Sequence, residues 1–192
     1  EMLHEEHGSL PWNSLFDAPI KTAEEGFVIS PRLGRFLAND FPQLAQPDAA
    51  AYFARPDGTR MQAGDRLVNA EYAGFLKRLA AQGTDALYRG STGAQIVQRT
   101  RAAPLGGTMT MADLDAYRPV KREAVCGPWH GYRVCAPPPP SSGAAMIELL
   151  SLLERTDIAQ RNADDPQAWY LFAESSRLAY ADRDAYFGDG DF

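Results

Sequence analysis

No run in this sequence approaches the roughly 20 consecutive apolar residues that a helical bilayer span requires, so a membrane-crossing helix is excluded. Basic charge is also in the minority. Against 25 Asp and Glu stand 19 Lys and Arg, a formal net charge of −6, which leaves no broad cationic face to neutralise nucleic-acid phosphates. The segment from Glu1 to His7 lacks a signal peptide's basic head and apolar body. Internal repeats and heptads are absent, the Gly-x-Ser-x-Gly nucleophile pattern is absent, and histidine and cysteine are scarce, with three and two residues. What is there is ordinary: 192 residues, 45% hydrophobic and 23% charged, the make-up of one globular domain or part of a larger one. Because Glu1 is not an initiating Met and Phe192 shows no evident terminus, a fragment or processed segment is expected.

Helical signals fill residues 14–117. Asp17 is expected to cap Ala18 to Glu25, with Pro19 in the first turn and Gly26 as stop. Phe27 to Ile29 reads as extended, Ser30 and Pro31 restart a helix toward Ala38, and the Pro42 to Pro47 segment interrupts it. Asp48 to Phe53 reads as a short helical turn, and Arg55 to Gly58 suits a tight reversal. From Asp65 to Gln82, Leu67, Val68, Tyr72, Phe75, Leu76 and Leu79 recur at helical steps before Gly83. A further helical pattern from Thr84 to Arg101 should split near Ser91, and Thr110 with Asp113 resembles a capping box.

The period then changes. A hairpin over 119–136 is expected, with strands Val120 to Cys126 and Tyr132 to Ala136 and His130 with Gly131 as a two-residue loop. Counting outward from that loop pairs Trp129 with Tyr132 and sets Cys126 opposite Cys135, at a non-hydrogen-bonded pair where Cα atoms approach to about 4.5 Å. That lies within disulfide reach. A cross-strand bridge and two small buried thiols remain equal alternatives, since the redox compartment decides between them. Over 141–188 helices return: Pro137 to Pro140 stiffens as polyproline, Ser141 or Ser142 caps a helix to Glu154, and Asp165 with Pro166 opens the longest one. Its inward face is expected to carry Trp169, Phe172, Ala173, Ser176, Tyr180, Arg183 and Phe187.

Candidate chemistry is sparse. His4 and His7 share a helical spacing that could hold a metal, but no further ligands are at hand, and a frayed polar terminus is the better reading. Asp182, Asp184, Asp189 and Asp191 do not have the spacing of a calcium loop, and Arg183 between Asp182 and Asp184 suggests a partly buried ion pair. Ser141, Ser142 and Gly143 form a turn before a helix, yet no histidine follows to activate a serine, so capping is preferred. Thr108, after Gly106 and Gly107, is interior, whereas a threonine that uses its own α-amine as base must begin a chain. No catalytic, substrate-binding or metal residue is assigned.

Several segments together, in order, resemble the gamma-glutamyltranspeptidase family: Leu10, Pro11 and Trp12; Leu87 to Gly90; Gly106 to Thr110; and Asp113 to Tyr117. Pro138 to Gly143 is similar to that family's Pro-Pro-Pro-Ser-Ser-Gly-Gly signature, with Ala144 in place of the last glycine. Glu174, Leu178 to Arg183, Gly188, Asp189, Asp191 and Phe192 resemble its Glu-Ala…Ala-Tyr-Ala-Asp-Arg…Gly-Asp-Pro-Asp-Phe run, with Ser175 and Gly190 as departures. The resemblance implies an α+β, helix-rich piece of an N-terminal-nucleophile (αββα) hydrolase, from the end of a large subunit whose self-processed precursor exposes a threonine beyond Phe192. It further implies cleavage of γ-glutamyl amides such as glutathione, and no cofactor. The partners would be a small subunit from the same precursor and the remaining large-subunit sequence, and the location periplasmic or secreted. A related cephalosporin or poly-γ-glutamate acylase is the runner-up, and a stand-alone, non-catalytic interaction domain the alternative of another class.

Overall fold

The computed structural model describes residues 1–189, in which the expected single segment divides into two compact units, one ending at Pro119 and one starting at Val120.

The first unit is helical around a two-stranded bridge, so the stretch 14–117 is not helical throughout. Its helices are α1 (Met2–His7), α2 (Asp17–Glu25), α3 (Pro31–Leu37), α4 (Pro47–Tyr52), α5 (Ala70–Gln82), α6 (Asp85–Tyr88), α7 (Gly90–Thr100) and α8 (Met111–Ala116). Strand β1 (Phe27–Val28) lies antiparallel to β2 (Arg66–Leu67), pairing Phe27 with Leu67 and Val28 with Arg66. Gly26, at φ +75°, ends α2 and turns the chain into β1, a conformation that a side chain would resist. Ile29, Leu37 and Leu67 form the buried core, with Leu33, Leu44, Phe53 and Met61 packed around them. Helix α3 starts as expected: the Ser30 hydroxyl accepts the Leu33 N–H and Pro31 takes the first helical position.

Three expectations for this unit need correction. The amphipathic helix begins at Ala70 rather than Asp65. Leu67 and Val68 share its spacing, but Leu67 is held in the β2 ladder, and the Asp65 carboxylate receives the Gln62 N–H and the Arg55 guanidinium instead of capping a helix. Asn69 is the cap, accepting the Tyr72 N–H at 2.9 Å. Asp17 is already helical (φ −57°, ψ −50°), because a 3-10 turn over Trp12–Phe16 runs straight into α2. The break after Thr84 falls at Arg89, which is extended between α6 and α7, rather than near Ser91. The capping box of Thr110 and Asp113 is present in full.

The second unit is a hairpin, β3 (Val125–Trp129) with β4 (Tyr132–Ala136), followed by α9 (Gly143–Leu153), a 3-10 turn over Ile158–Gln160 and α10 (Pro166–Tyr186). His130 at φ +44° and Gly131 at φ +81° supply the two positive torsions that a type I′ turn demands. The register is the one counted from the sequence: Trp129 opposite Tyr132, Gly127 opposite Val134, and Cys126 opposite Cys135. Helix α9 packs on this hairpin and α10 on α9.

Here too the structure differs from expectation. The first strand starts at Val125, not Val120, so the hairpin proper is shorter than 119–136; Arg122 lies 3.5 Å from Asp189 instead of pairing across a ladder. The proline run does not stay extended: it turns at Pro139 and Pro140, where the Ser141 N–H donates to the Pro138 carbonyl at 3.1 Å. Neither serine hydroxyl caps α9; Ser142 contributes only its backbone carbonyl, to the Met146 N–H. On α10 the buried stripe is Ser175 and Ala179, whereas Trp169, Phe172 and Tyr180 are exposed. Small residues let α9 and α10 approach closely, and they carry little hydrophobic signal in a helical pattern.

Candidate functional site

The segment that joins β4 to α9 carries Ser141 and Ser142, expected as helix caps, and its geometry is set by backbone approach. A Cβ on Gly143 would collide with the Pro137 carbonyl oxygen and come within 2.8 Å of the Ala136 Cβ, so only glycine lets α9 begin there. Gly127 has the same role on β3, where a Cβ would collide with Ile147 Cγ2 of α9. At the hairpin tip, the His130 N–H donates to the Glu154 carboxylate at 3.1 Å, fastening the loop to the far end of α9. The opposite face of the hairpin carries the two cysteines, joined sulfur to sulfur with Cα atoms 4.1 Å apart. Pro128, opposite Arg133, lies between them and the tip.

Beside this junction lies a recess of about 580 Å³ lined by Val120, Arg122, Ala124 and Cys135 to Ser141. Its polar contributions are a guanidinium already beside Asp189 and the Ser141 hydroxyl. The ring of His130 stacks edge-on against Trp129 at the hairpin tip, at the other end of β4 from Ser141. Ser141 and Ser142 are thus exposed turn residues, and His130 is not brought to them.

One carboxylate pair does stand out, and charge spacing alone did not reveal it. Glu148 on α9 meets Asp182 on α10; burial first, then the hydrogen bond to Asp182 and its negative charge, push the Glu148 carboxyl above its ordinary range. Asp182 therefore faces α9 rather than Arg183. Arg183 turns to Asp184 at 2.9 Å and lies 5.7 Å over the Tyr180 ring, an exposed pair in place of the partly buried one expected. The contact of Glu148 with Asp182 joins two helix faces and suits packing.

The remaining candidates lie in the first unit. The His4 ring contacts the Leu10 carbonyl at 2.8 Å and packs against Trp12, while His7 stands 3.7 Å from Glu6. Among the described residues, no group of three or more His, Cys, Asp or Glu could hold a metal ion. Thr108 sits in an exposed loop after Gly106 and Gly107. Asp191 lies outside the described residues.

The family model described as gamma-glutamyltranspeptidase matches residues 1–192. The chain belongs to the gamma-glutamyltranspeptidase family. It is 33% identical over 191 residues to the glutathione hydrolase proenzyme of Escherichia coli, covering 98% of this chain and 32% of that protein. It is 38% identical over 177 residues to the acylase ACY 1 proenzyme of a Pseudomonas strain, covering 92% and 31%. It thus spans about a third of these curated relatives. Among solved structures, the Helicobacter pylori gamma-glutamyltranspeptidase superposes with a TM-score of 0.90 at 30% identity, covering all of this chain and 55% of that one. The fold is that of the gamma-glutamyltranspeptidase and acylase group of N-terminal-nucleophile hydrolases, and in this chain the Pro138 to Gly143 segment is a backbone junction.

Proposed function

We propose that the chain is one segment of the large subunit of a processed enzyme that cleaves γ-glutamyl amides of the glutathione type. Its role is scaffolding, and the nucleophilic threonine belongs to polypeptide outside these residues. In this reading the threonine attacks the amide carbonyl, an oxyanion site stabilises the tetrahedral intermediate, and water or an acceptor amine releases the acyl group. The small subunit of the same precursor and the remaining large-subunit sequence complete the enzyme. The observation that carries the proposal is the pairing of two facts. The chain aligns almost end to end with about a third of a glutathione hydrolase proenzyme, yet no histidine stands beside Ser141 or Ser142 among the described residues, and the threonines that meet a carboxylate, such as Thr110 at Asp113, sit inside the chain rather than at the start of one. The exposed aromatic face of α10 supports it, being the kind of surface that further polypeptide covers. The bridge between Cys126 and Cys135 favours an exported enzyme, periplasmic or secreted.

The identity to an acylase proenzyme favours a second reading, in which the acyl group is carried by a cephalosporin-type amide. Both readings are tested by purified full-length precursor offered a γ-glutamyl anilide and a glutaryl cephalosporin. Turnover of the anilide supports the first; turnover of the cephalosporin alone replaces it with the second. The 192-residue chain alone should be silent, and catalysis by it would overturn the scaffold role.

A further inference from the structure

The disulfide face of the hairpin carries chemistry that a scaffold does not use. Side chains alternate along a strand, so Cys126 and Pro128 of β3 share that face with Arg133 and Cys135 of β4, while Gly127 is turned toward Ile147 of α9. The two bridged residues are not equally open. Cys135 is exposed and Cys126 half-buried, and of the two only Cys135 borders the recess of about 580 Å³ beside the β4–α9 junction. A dissolved molecule therefore has room beside Cys135. Arg133, two residues along the same strand, sets its Cα about 7 Å from that of Cys135, and the register puts it diagonal to Cys126. Its guanidinium is exposed and in no ion pair among the described residues. Arg122, beside Asp189, adds a second guanidinium to the wall of the recess. Partly exposed, electropositive surroundings of this kind are where cysteine sulfur exchanges most readily.

We propose that Cys135 is a site of reversible S-thiolation by small thiols that carry a carboxylate. The incoming thiolate attacks Cys135 Sγ and forms a new S–S bond to it; the bond between Cys126 and Cys135 breaks, and its electron pair leaves on Cys126 Sγ, a thiolate that takes a proton from water. One thiol and one disulfide go in and one of each comes out, so no oxidant or reductant is consumed. Arg133 favours both ends of the step, drawing in the carboxylate and facing the charge that develops on Cys126. The strands stay paired meanwhile, because the turn at His130 and Gly131 and the bond from the His130 N–H to Glu154 hold the register from the tip. Attack by Cys126 on the adduct closes the bridge again, so the mark lasts only while the thiol is abundant. None of this depends on which amide the enzyme cleaves.

The test uses processed full-length protein at low salt with 3-mercaptopropionate, an anionic thiol that offers no amide to cleave, followed by alkylation with iodoacetamide and peptide mapping by mass spectrometry. The thiol adduct should sit on Cys135 and the alkyl group on Cys126, in at least about tenfold excess over the reverse arrangement. Per thiolate, 3-mercaptopropionate should react at least about threefold faster than the cationic thiol cysteamine, an order that Arg133→Gln should level. Salt of about 1 M should level it too, since the Debye length then falls below the spacing of Arg133 and Cys135. An adduct chiefly on Cys126, a bridge reached only after denaturation, two free thiols in the native protein, or an anion preference that survives Arg133→Gln each overturns the proposal.

Discussion

The two units hold themselves together by different means. In the first, two-residue strands bring Ile29 and Leu67 beside Leu37, and large aliphatic side chains fill the space between segments distant in sequence. In the second, Gly127, Gly143, Ala145, Ser175 and Ala179 thin the contacts until helix and hairpin backbones nearly touch, while the bulkiest side chains of α10 stay outside. One unit is stabilised by volume and the other by proximity. A unit of the second kind has little core of its own, and it leaves large aromatic side chains of α10 exposed.

Substitutions can break this contrast. The largest effect is expected from Leu37→Ala, which should cost about 2–5 kcal/mol and expose the amides of the first unit, read by denaturant titration with hydrogen exchange. Cys135→Ser should destabilise the hairpin by roughly 2–3 kcal/mol, since the bridge closes a short loop. A thiol titration under denaturing conditions is its companion, and two free thiols would show that the bridge is not formed in the material. Gly143→Ala should cost about 1–3 kcal/mol by overpacking. Gly74→Ala on α5, where an added Cβ meets nothing nearer than 3.7 Å, should instead be neutral or gain up to about 1 kcal/mol. Equal losses at the two glycines would erase the distinction. Ser30→Ala should cost about 1 kcal/mol through the α3 cap alone.

The smallest effect is one of pH. The Glu148 carboxyl is raised in the folded protein, so its stabilising share is full below the ordinary carboxylate range and is lost as pH rises through the folded value. The Asp65 carboxyl is lowered, by the Gln62 N–H and then Arg55, so its share is present above that range and is lost on acidification. Mild acid should therefore loosen the Asp65 turn while favouring the α9–α10 contact, and Glu148→Gln should flatten only the latter trend in residue-level exchange.

Much of this architecture was legible wherever local chemistry decides it. The loop at His130 and Gly131 fixed the hairpin register, including the cysteine pairing, and Ser30, Thr110 and Asp165 marked helix starts that the structure keeps. Errors arose where a distant partner took over. Leu67 fits a helical period as well as a strand, and only its pairing with Phe27 settles the matter. The aromatic stripe on α10 reads as a core face, because sequence does not say that Ser175 and Ala179 will be pressed against α9. Glu148 and Asp182 are far apart in sequence, so their encounter had no local signal. Family membership was legible in the ordered motifs, but what the Pro138 to Gly143 motif does was not: its serines read as helix caps, whereas neither hydroxyl caps α9 and the segment serves as a close-packed seam.

Gly127 sets a dimension. With no side chain on that strand position, Ile147 settles into the pleat, and the missing methyl becomes the gauge for how thick this layer of the protein can be. Any larger residue there would shim the helix outward, and every surface mounted on it would be carried out of alignment together.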